Sequence, residues 1–183
     1  MSKAREMFEI SIRDAEDLLA HFDSQTKPPP KNAEVLKRAG LVMALTAWET
    51  FVEDLVYQQV SRNPQVVQGS HTGKFMQARL EEELKRFNNP ASDKTRKIFL
   101  DYVGVDVTKH WKWPGYEIGA AKKKLDDLLG IRGDIVHRSK EPDAGGPTKP
   151  HPVKREDLAK AIRFLKSLVE VTDMALSENT GQS

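Results

Sequence analysis

The chain has 183 residues, no cysteine and a formal net charge of +2, with a sequence pI of about 8.7. This length fits one globular domain with a sizeable core, and the lack of cysteine excludes disulfides, thiol nucleophiles and thiolate metal sites. The nearly balanced charge excludes nucleic-acid binding through overall positive charge alone, so any such contact must be local.

The N-terminal segment, MSKAREMFEISIRDAEDLL, carries charged residues throughout and does not resemble a signal peptide. No apolar run approaches the roughly 18 residues that a membrane-spanning helix requires. We therefore expect a cytoplasmic protein without a membrane partner.

Apolar residues recur at spacings of three and four along most of the chain, which predicts an all-α fold. The first helix is predicted over residues 4–23 and ends before the prolines of SQTKPPPKN. The second is a long central helix from Asn32, a candidate N-cap, to about Arg62. Shorter helices are predicted over 73–87 and 92–103, and NNPA separates them.

The second half of the chain adds two longer helices. The segment GVDVTKHWKWPGYEIG has too few periodic matches for a helix, so we predict an ordered loop. A further helix starts near Ala120 and ends before the loop EPDAGGPTKPHP. The last helix is predicted over 154–177, and residues 178–183 are expected to be disordered. No internal repeat is present, so residues 1–183 are predicted to form one helical domain.

The helix that starts near Ala120 contains an arginine on its apolar face. At about 100° per residue, its apolar side chains form one stripe, and Arg132 falls near the middle. The stripe consists of Leu125, Leu128, Leu129, Ile135 and Val136. An unpaired buried charge is unfavourable by several kcal/mol, so Arg132 needs a carboxylate partner, a subunit boundary or an anion-binding cleft. A purely structural ion pair and a functional site are both open here.

His137 follows Arg132 after a four-residue gap, about 140° around an ideal helix and about 7.5 Å along it. One helix therefore does not direct both side chains at one atom. A two-fold axis beside the helix would bring together two copies of each, so a catalytic pair favours a homodimer. Alternatively, His137 is a solvated residue near a helix C-terminus, where the helix dipole favours imidazolium.

The central helix offers a partner for Arg132. One of its stripes contains Glu49 and Glu53 between valines, so we predict that Glu49 is partly buried and pairs with Arg132. A second, fully apolar stripe predicts packing on two sides; it contains Leu41, Leu45, Trp48, Val52 and Leu55. The two carboxylates could also indicate metal binding or acid–base chemistry. Because no second Glu/His cluster with ligand spacing exists, a solvated acidic edge is the alternative.

RGDIVHR (132–138) and ALTAWETFVEDLV (44–56) resemble the HEPN superfamily, specifically its RiboL-PSP-HEPN group, and the resemblance covers most of the chain. It implies a helical bundle that dimerises and acts as an endoribonuclease without metal or another cofactor. Arg132 and His137 match the family's arginine and histidine. A toxin or defence role, with an antitoxin or regulatory partner, is implied in the same way. The alternative is a non-catalytic HEPN-like dimer that binds RNA or a protein.

The resemblance is incomplete directly after the arginine. Many members carry a polar residue there, whereas this chain has Gly133 followed by Asp134. On an ideal helix Asp134 lies about 60° from His137, so it could orient the imidazole as a supporting residue, or it could be solvated.

The chemistry that the resemblance implies suits the two matched residues. Metal-independent RNA cleavage uses the adjacent 2′-hydroxyl as nucleophile and needs a proton-transfer group and a cation near the phosphate. Histidine, with an ordinary pKa of about 6.5, fits the first role, and permanently charged arginine fits the second. The products would be a 2′,3′-cyclic phosphate and a 5′-hydroxyl, and DNA would be spared because it lacks the 2′-hydroxyl.

Two other segments are weaker candidates for RNA binding. In KHWKW, Trp111 and Trp113 alternate with lysines, as in a surface that stacks single-stranded bases, although packing in the core or at an interface is the alternative. Lys122, Lys123 and Lys124 lie near the start of a predicted helix, where the helix dipole disfavours positive charge. They are predicted to contact the RNA backbone or to form a solvated face.

Overall fold

The computed structural model describes residues 1–62, 70–136 and 152–179, and these ranges are mainly α-helical. Within them the α-helices are α1 (Lys3–Asp23), α2 (Glu34–Arg62), α3 (His71–Leu84), α4 (Ser92–Val103), α5 (Ile118–Val136) and α6 (Arg155–Asn179). Two short 3₁₀ helices cover Lys31–Ala33 and Val107–His110. The described ranges contain no β-strand beyond one isolated bridge between Trp113 and Tyr116, so the all-α prediction is confirmed.

Several helix ends differ from the predicted ones. Asn32 is not the N-cap of α2, because residues 31–33 form a 3₁₀ turn and α2 begins at Glu34. Helix α3 begins at His71, where the side-chain oxygen of Ser70 accepts a hydrogen bond from a backbone N–H of the first turn. Helix α6 extends to Asn179, into the segment expected to be disordered; residues 180–183 lie outside the described residues.

Helix α2 is the centre of the bundle, and all five other α-helices contact it. The apolar stripe predicted to face the core is buried, and Val56 on the other stripe is buried as well, which confirms packing on two sides. At Gly40 of α2, a Cβ atom would lie 2.8 Å from a methyl carbon of Leu158 on α6. Glycine at this position therefore permits the close approach of α2 and α6. No helix in the described part of the chain has the length and apolar character needed to cross a membrane.

Helix α5 is fixed to α4 by a capping carboxylate. Asp126 accepts hydrogen bonds from the backbone N–H of Ser92 at 2.8 Å and from its hydroxyl at 2.7 Å, at the first residue of α4. This satisfies a backbone donor at the helix N-terminus. Leu125, Leu128 and Leu129 are buried, as predicted. Val136, predicted on the same buried stripe, is 53% exposed, because no element within the described chain covers the end of α5.

Candidate functional site

Arg132 of α5 and Glu49 of α2 form the ion pair that their helix faces predicted. The Nη1 atom of Arg132 lies 2.5 Å from Oε2 of Glu49. The arginine side chain is 20% exposed and that of the glutamate 17%, so both are partly buried but neither is sealed from solvent. The pair therefore joins two helices, and part of the Arg132 side chain remains exposed.

A turn before α4 completes the surroundings of Glu49. The backbone N–H of Asn89 donates to the same Oε2 atom at 3.0 Å, and Asn89 adopts the left-handed φ of 58° that asparagine tolerates better than most residues. The next residue, Pro90, fixes this turn on α2, since its carbonyl accepts from the indole N–H of Trp48 at 3.1 Å. One carboxylate oxygen thus holds both Arg132 and the turn. The role of Asn89 was not predicted from the sequence, because NNPA indicates only a break between helices.

Glu53 lies one helical turn beyond Glu49 and provides a carboxyl that titrates near neutral pH. Partial burial, together with the negative charges of Glu49 and Asp54, raises the pKa of Glu53 to about 7. Burial also raises the pKa of Asp54, although Lys3 opposes this. Among the described residues, no three His, Asp or Glu side chains converge as metal ligands would. The acidic edge of α2 therefore combines the Glu49 carboxylate, which is paired with Arg132, with a carboxyl at Glu53 that can hold a proton.

His137, the second predicted catalytic residue, lies outside the described residues, which stop at Val136 in this part of the chain. Its distance from Arg132 therefore stays a prediction from sequence. Asp134 is exposed, which fits a solvated side chain as well as it fits a supporting one. At Gly133, a Cβ atom would meet none of the described atoms within 4 Å. Packing of the described residues therefore does not require glycine at this position. The lack of a polar side chain after Arg132 is a chemical difference from many family members.

The two tryptophans of KHWKW have different environments. Trp111 is fully buried, packs edge to face against Trp48 at 6.0 Å between ring centroids, and donates its indole N–H to the hydroxyl of Thr172 at 3.0 Å. The prediction that Trp111 stacks on RNA bases is wrong, because its ring cannot reach a ligand at the surface. Trp113 is half-buried against Tyr116, with ring centroids 5.0 Å apart, and so retains an accessible edge.

The three lysines near the start of α5 follow the helix surface. Lys123 is exposed and pairs with Asp127 one turn later, at 2.9 Å, whereas Lys122 and Lys124 are partly buried. An exposed pair of this kind is typical of a solvated helix face. A contact between these lysines and RNA therefore stays a prediction.

Most of the chain matches one known protein family. Residues 10–178 match the model of the RiboL-PSP-HEPN family, as the resemblance in the sequence indicated. No curated protein and no solved structure matches this chain. The matched range includes Glu49, Arg132 and His137, so the family assignment applies to the part of the chain that contains the candidate site.

Proposed function

Because this chain belongs to the RiboL-PSP-HEPN family, we propose that it is an endoribonuclease that cleaves RNA through attack of the 2′-hydroxyl, with Arg132 and His137 as catalytic residues. HEPN membership supports a role in cleaving or binding RNA, and the assignment of these two residues is our own. The reaction, as proposed, requires neither a metal ion nor an organic cofactor.

The partly exposed Arg132 is the observation that carries this proposal. A guanidinium has five N–H donors, and the hydrogen bond to Glu49 uses one of them. Glu49 therefore holds the group in one orientation, and the other donors of the guanidinium have no partner among the described residues. Arginine binds a phosphate through two such donors in a bidentate manner. Arg132 would stabilise the negative charge that develops on the phosphorane oxygens during attack.

His137 would perform the proton transfers. As general base it takes the proton of the 2′-hydroxyl while that oxygen bonds to phosphorus. The bond from phosphorus to the 5′-oxygen then breaks, and this oxygen gains a proton from an imidazolium. Two histidines across a two-fold axis would serve as base and acid in one event. The products are a 2′,3′-cyclic phosphate and a 5′-hydroxyl.

A homodimer is therefore part of the proposal. Val136 supports it, because this apolar side chain is 53% exposed at the end of α5, directly before His137 in the chain. A subunit boundary along α5 would cover it and gather the two copies of Arg132 and His137. Light scattering at micromolar concentration is expected to give the mass of a dimer, and the mass of a monomer would contradict this arrangement.

One observation favours a second function. Because Glu49 already neutralises part of the charge of Arg132, the second candidate is a structural pair in a dimer that binds RNA without cleaving it. Incubation of the purified protein with mixed RNA and with matched DNA, with and without a chelator, separates the two functions. We expect RNA products ending in 2′,3′-cyclic phosphate under both conditions and intact DNA. RNA that is retained but uncut would favour the binding module.

A further inference from the structure

A positively charged cleft lies where the end of α3 approaches α4. It encloses a cavity of about 370 Å³, and Phe87, only 7% exposed, forms apolar lining. The charged residues that line it are Arg79, Glu82, Glu83, Arg86, Lys94 and Lys97. The cavity is far larger than one phosphate group and falls in the size range of sites that bind molecules such as nucleotides.

The two carboxylates of the cleft are already engaged. Glu82 pairs with Arg79 at 3.1 Å, and Glu83 accepts a hydrogen bond from the Tyr102 hydroxyl at 2.8 Å. Burial, together with this contact, raises the pKa of Tyr102 to about 12, so the phenol keeps its proton and remains a donor to Glu83. Within the described ranges neither carboxylate forms an ion pair with Arg86, Lys94 or Lys97, although Glu83 still acts on Lys97 through its charge.

Within the described ranges, two of the four cations that line the cleft have no ion-pair partner. Lys97 pairs with Asp101, which lies outside the cleft lining, at 2.8 Å. Lys94 donates to the carbonyl oxygen of Asn88 at 2.8 Å, a neutral partner. Within the described ranges, neither Lys94 nor Arg86 has a carboxylate within 4.0 Å, and Arg86 is exposed. The cleft thus presents at least two unpaired positive charges to solvent.

The turn of residues 88–89 connects the cleft to the candidate site. The carbonyl oxygen of Asn88 accepts a hydrogen bond from Lys94 of the cleft. The backbone N–H of Asn89 donates to Glu49, which pairs with Arg132. Two consecutive residues therefore separate a lysine of the cleft from the carboxylate that orients the proposed catalytic arginine. Lys94 and Arg132 are thus linked through one peptide group and one carboxylate.

We propose that this cleft binds the phosphodiester backbone of the RNA strand whose scissile phosphate lies at Arg132. The inference rests on the proposed function and adds a binding site for the neighbouring nucleotides. Arg86 and Lys94 contact phosphates, and the turn of residues 88–89 lies beneath the strand between the cleft and Arg132. Because the contacts are to phosphates, they contribute affinity without selecting a base sequence.

The test measures binding of an RNA oligonucleotide with 2′-O-methyl riboses, which cannot be cleaved by 2′-hydroxyl attack. The double variant Arg86→Gln/Lys94→Gln removes two charges and keeps a donor for the Asn88 carbonyl. The control, Arg13→Gln/Lys160→Gln, removes two exposed charges on α1 and α6. We expect the cleft variant to raise the Kd about tenfold and to reduce the slope of log K against log salt by about 1.4. The control variant should change neither quantity. Circular dichroism checks both folds; should the double variant misfold, Arg86→Gln alone replaces it.

The outcomes separate this proposal from the ribonuclease proposal. Equal affinities for the wild type and the cleft variant, equal losses in the cleft and control variants, or no binding of the oligonucleotide by the wild type would each overturn the cleft. If the cleft variant alone loses affinity while the wild type leaves unmodified RNA intact, the cleft is supported and the ribonuclease proposal fails.

Discussion

Replacement of Glu49 tests the link between α2, α5 and the turn before α4. In Glu49→Ala, Arg132 loses its bonded carboxylate and the N–H of Asn89 loses its acceptor. The variant should therefore unfold more readily and cleave RNA more slowly, because Arg132 is no longer held in one orientation. Glu49→Gln separates the two effects, since one amide oxygen can replace Oε2 as acceptor without its charge.

The magnitude follows from burial and from the two hydrogen bonds. A fully buried ion pair broken on one side costs about 3 to 5 kcal/mol, but Arg132 is 20% exposed and can regain part of its hydration. Two bonds to a charged, partly screened acceptor, each contributing about 1 kcal/mol, give a loss of about 2 kcal/mol for Glu49→Ala. For Glu49→Gln, which loses only the charge, we expect about 1 kcal/mol.

Urea unfolding and thermal melting measure these changes. For a chain of this length, 2 kcal/mol corresponds to a decrease in Tm of about 4 to 8 °C. Asp127→Asn, on the same helix as Arg132, is the matched control. It breaks an exposed ion pair with Lys123 and should change stability by less than about 0.5 kcal/mol.

Cleavage should decrease roughly 10- to 100-fold in Glu49→Ala, with partial recovery in Glu49→Gln, if misplacement of Arg132 limits the rate. An unchanged Tm together with unchanged cleavage would remove Glu49 from both the structural and the positioning role. An unchanged rate with a lowered Tm would leave Glu49 a structural residue only.

Two other residues give predictions of a different kind. Because the pKa of Glu53 is raised to about 7 in the folded protein, its stabilising contribution is complete below the unfolded pKa of about 4.3 and is lost as pH rises through 7. Glu53→Gln should therefore be more stable than wild type at pH 8 and similar at pH 4.5 in urea unfolding; a difference independent of pH would contradict this. Trp111→Ala should cost about 3 to 5 kcal/mol, whereas Trp113→Ala, at a half-buried site, should cost less; equal losses would be evidence against the core role of Trp111.

Helical periodicity was sufficient to predict the ion pair at the candidate site. It placed Glu49 and Arg132 on the inward faces of two helices, and the unfavourable burial of an unpaired charge required a partner for each. The structure shows that pairing. The buried position predicted for Val136 was wrong, because a stripe drawn on an ideal helix does not show which part of that helix its neighbours cover.

Helical periodicity does not predict features that depend on irregular backbone. The hydrogen bond from Asn89 to Glu49 requires a left-handed residue in a turn whose position is set by Trp48 and Pro90. Trp111 lies in a segment without periodicity, so its burial depends on packing between distant parts of the chain. The cleft between α3 and α4 is likewise formed by residues whose proximity only the tertiary structure defines.

The central claim is that His137 transfers the proton in RNA cleavage, and His137→Ala tests it most directly. The histidine is predicted to lie outside the apolar stripe of its helix, so its removal should leave no core cavity and little change in stability. Wild type and variant, purified in parallel and shown by melting and light scattering to share fold and oligomeric state, are compared on one RNA. We predict a decrease in rate of about 10²- to 10⁴-fold for the variant. Cleavage by His137→Ala at the wild-type rate would contradict the ribonuclease mechanism and favour the non-catalytic binding module.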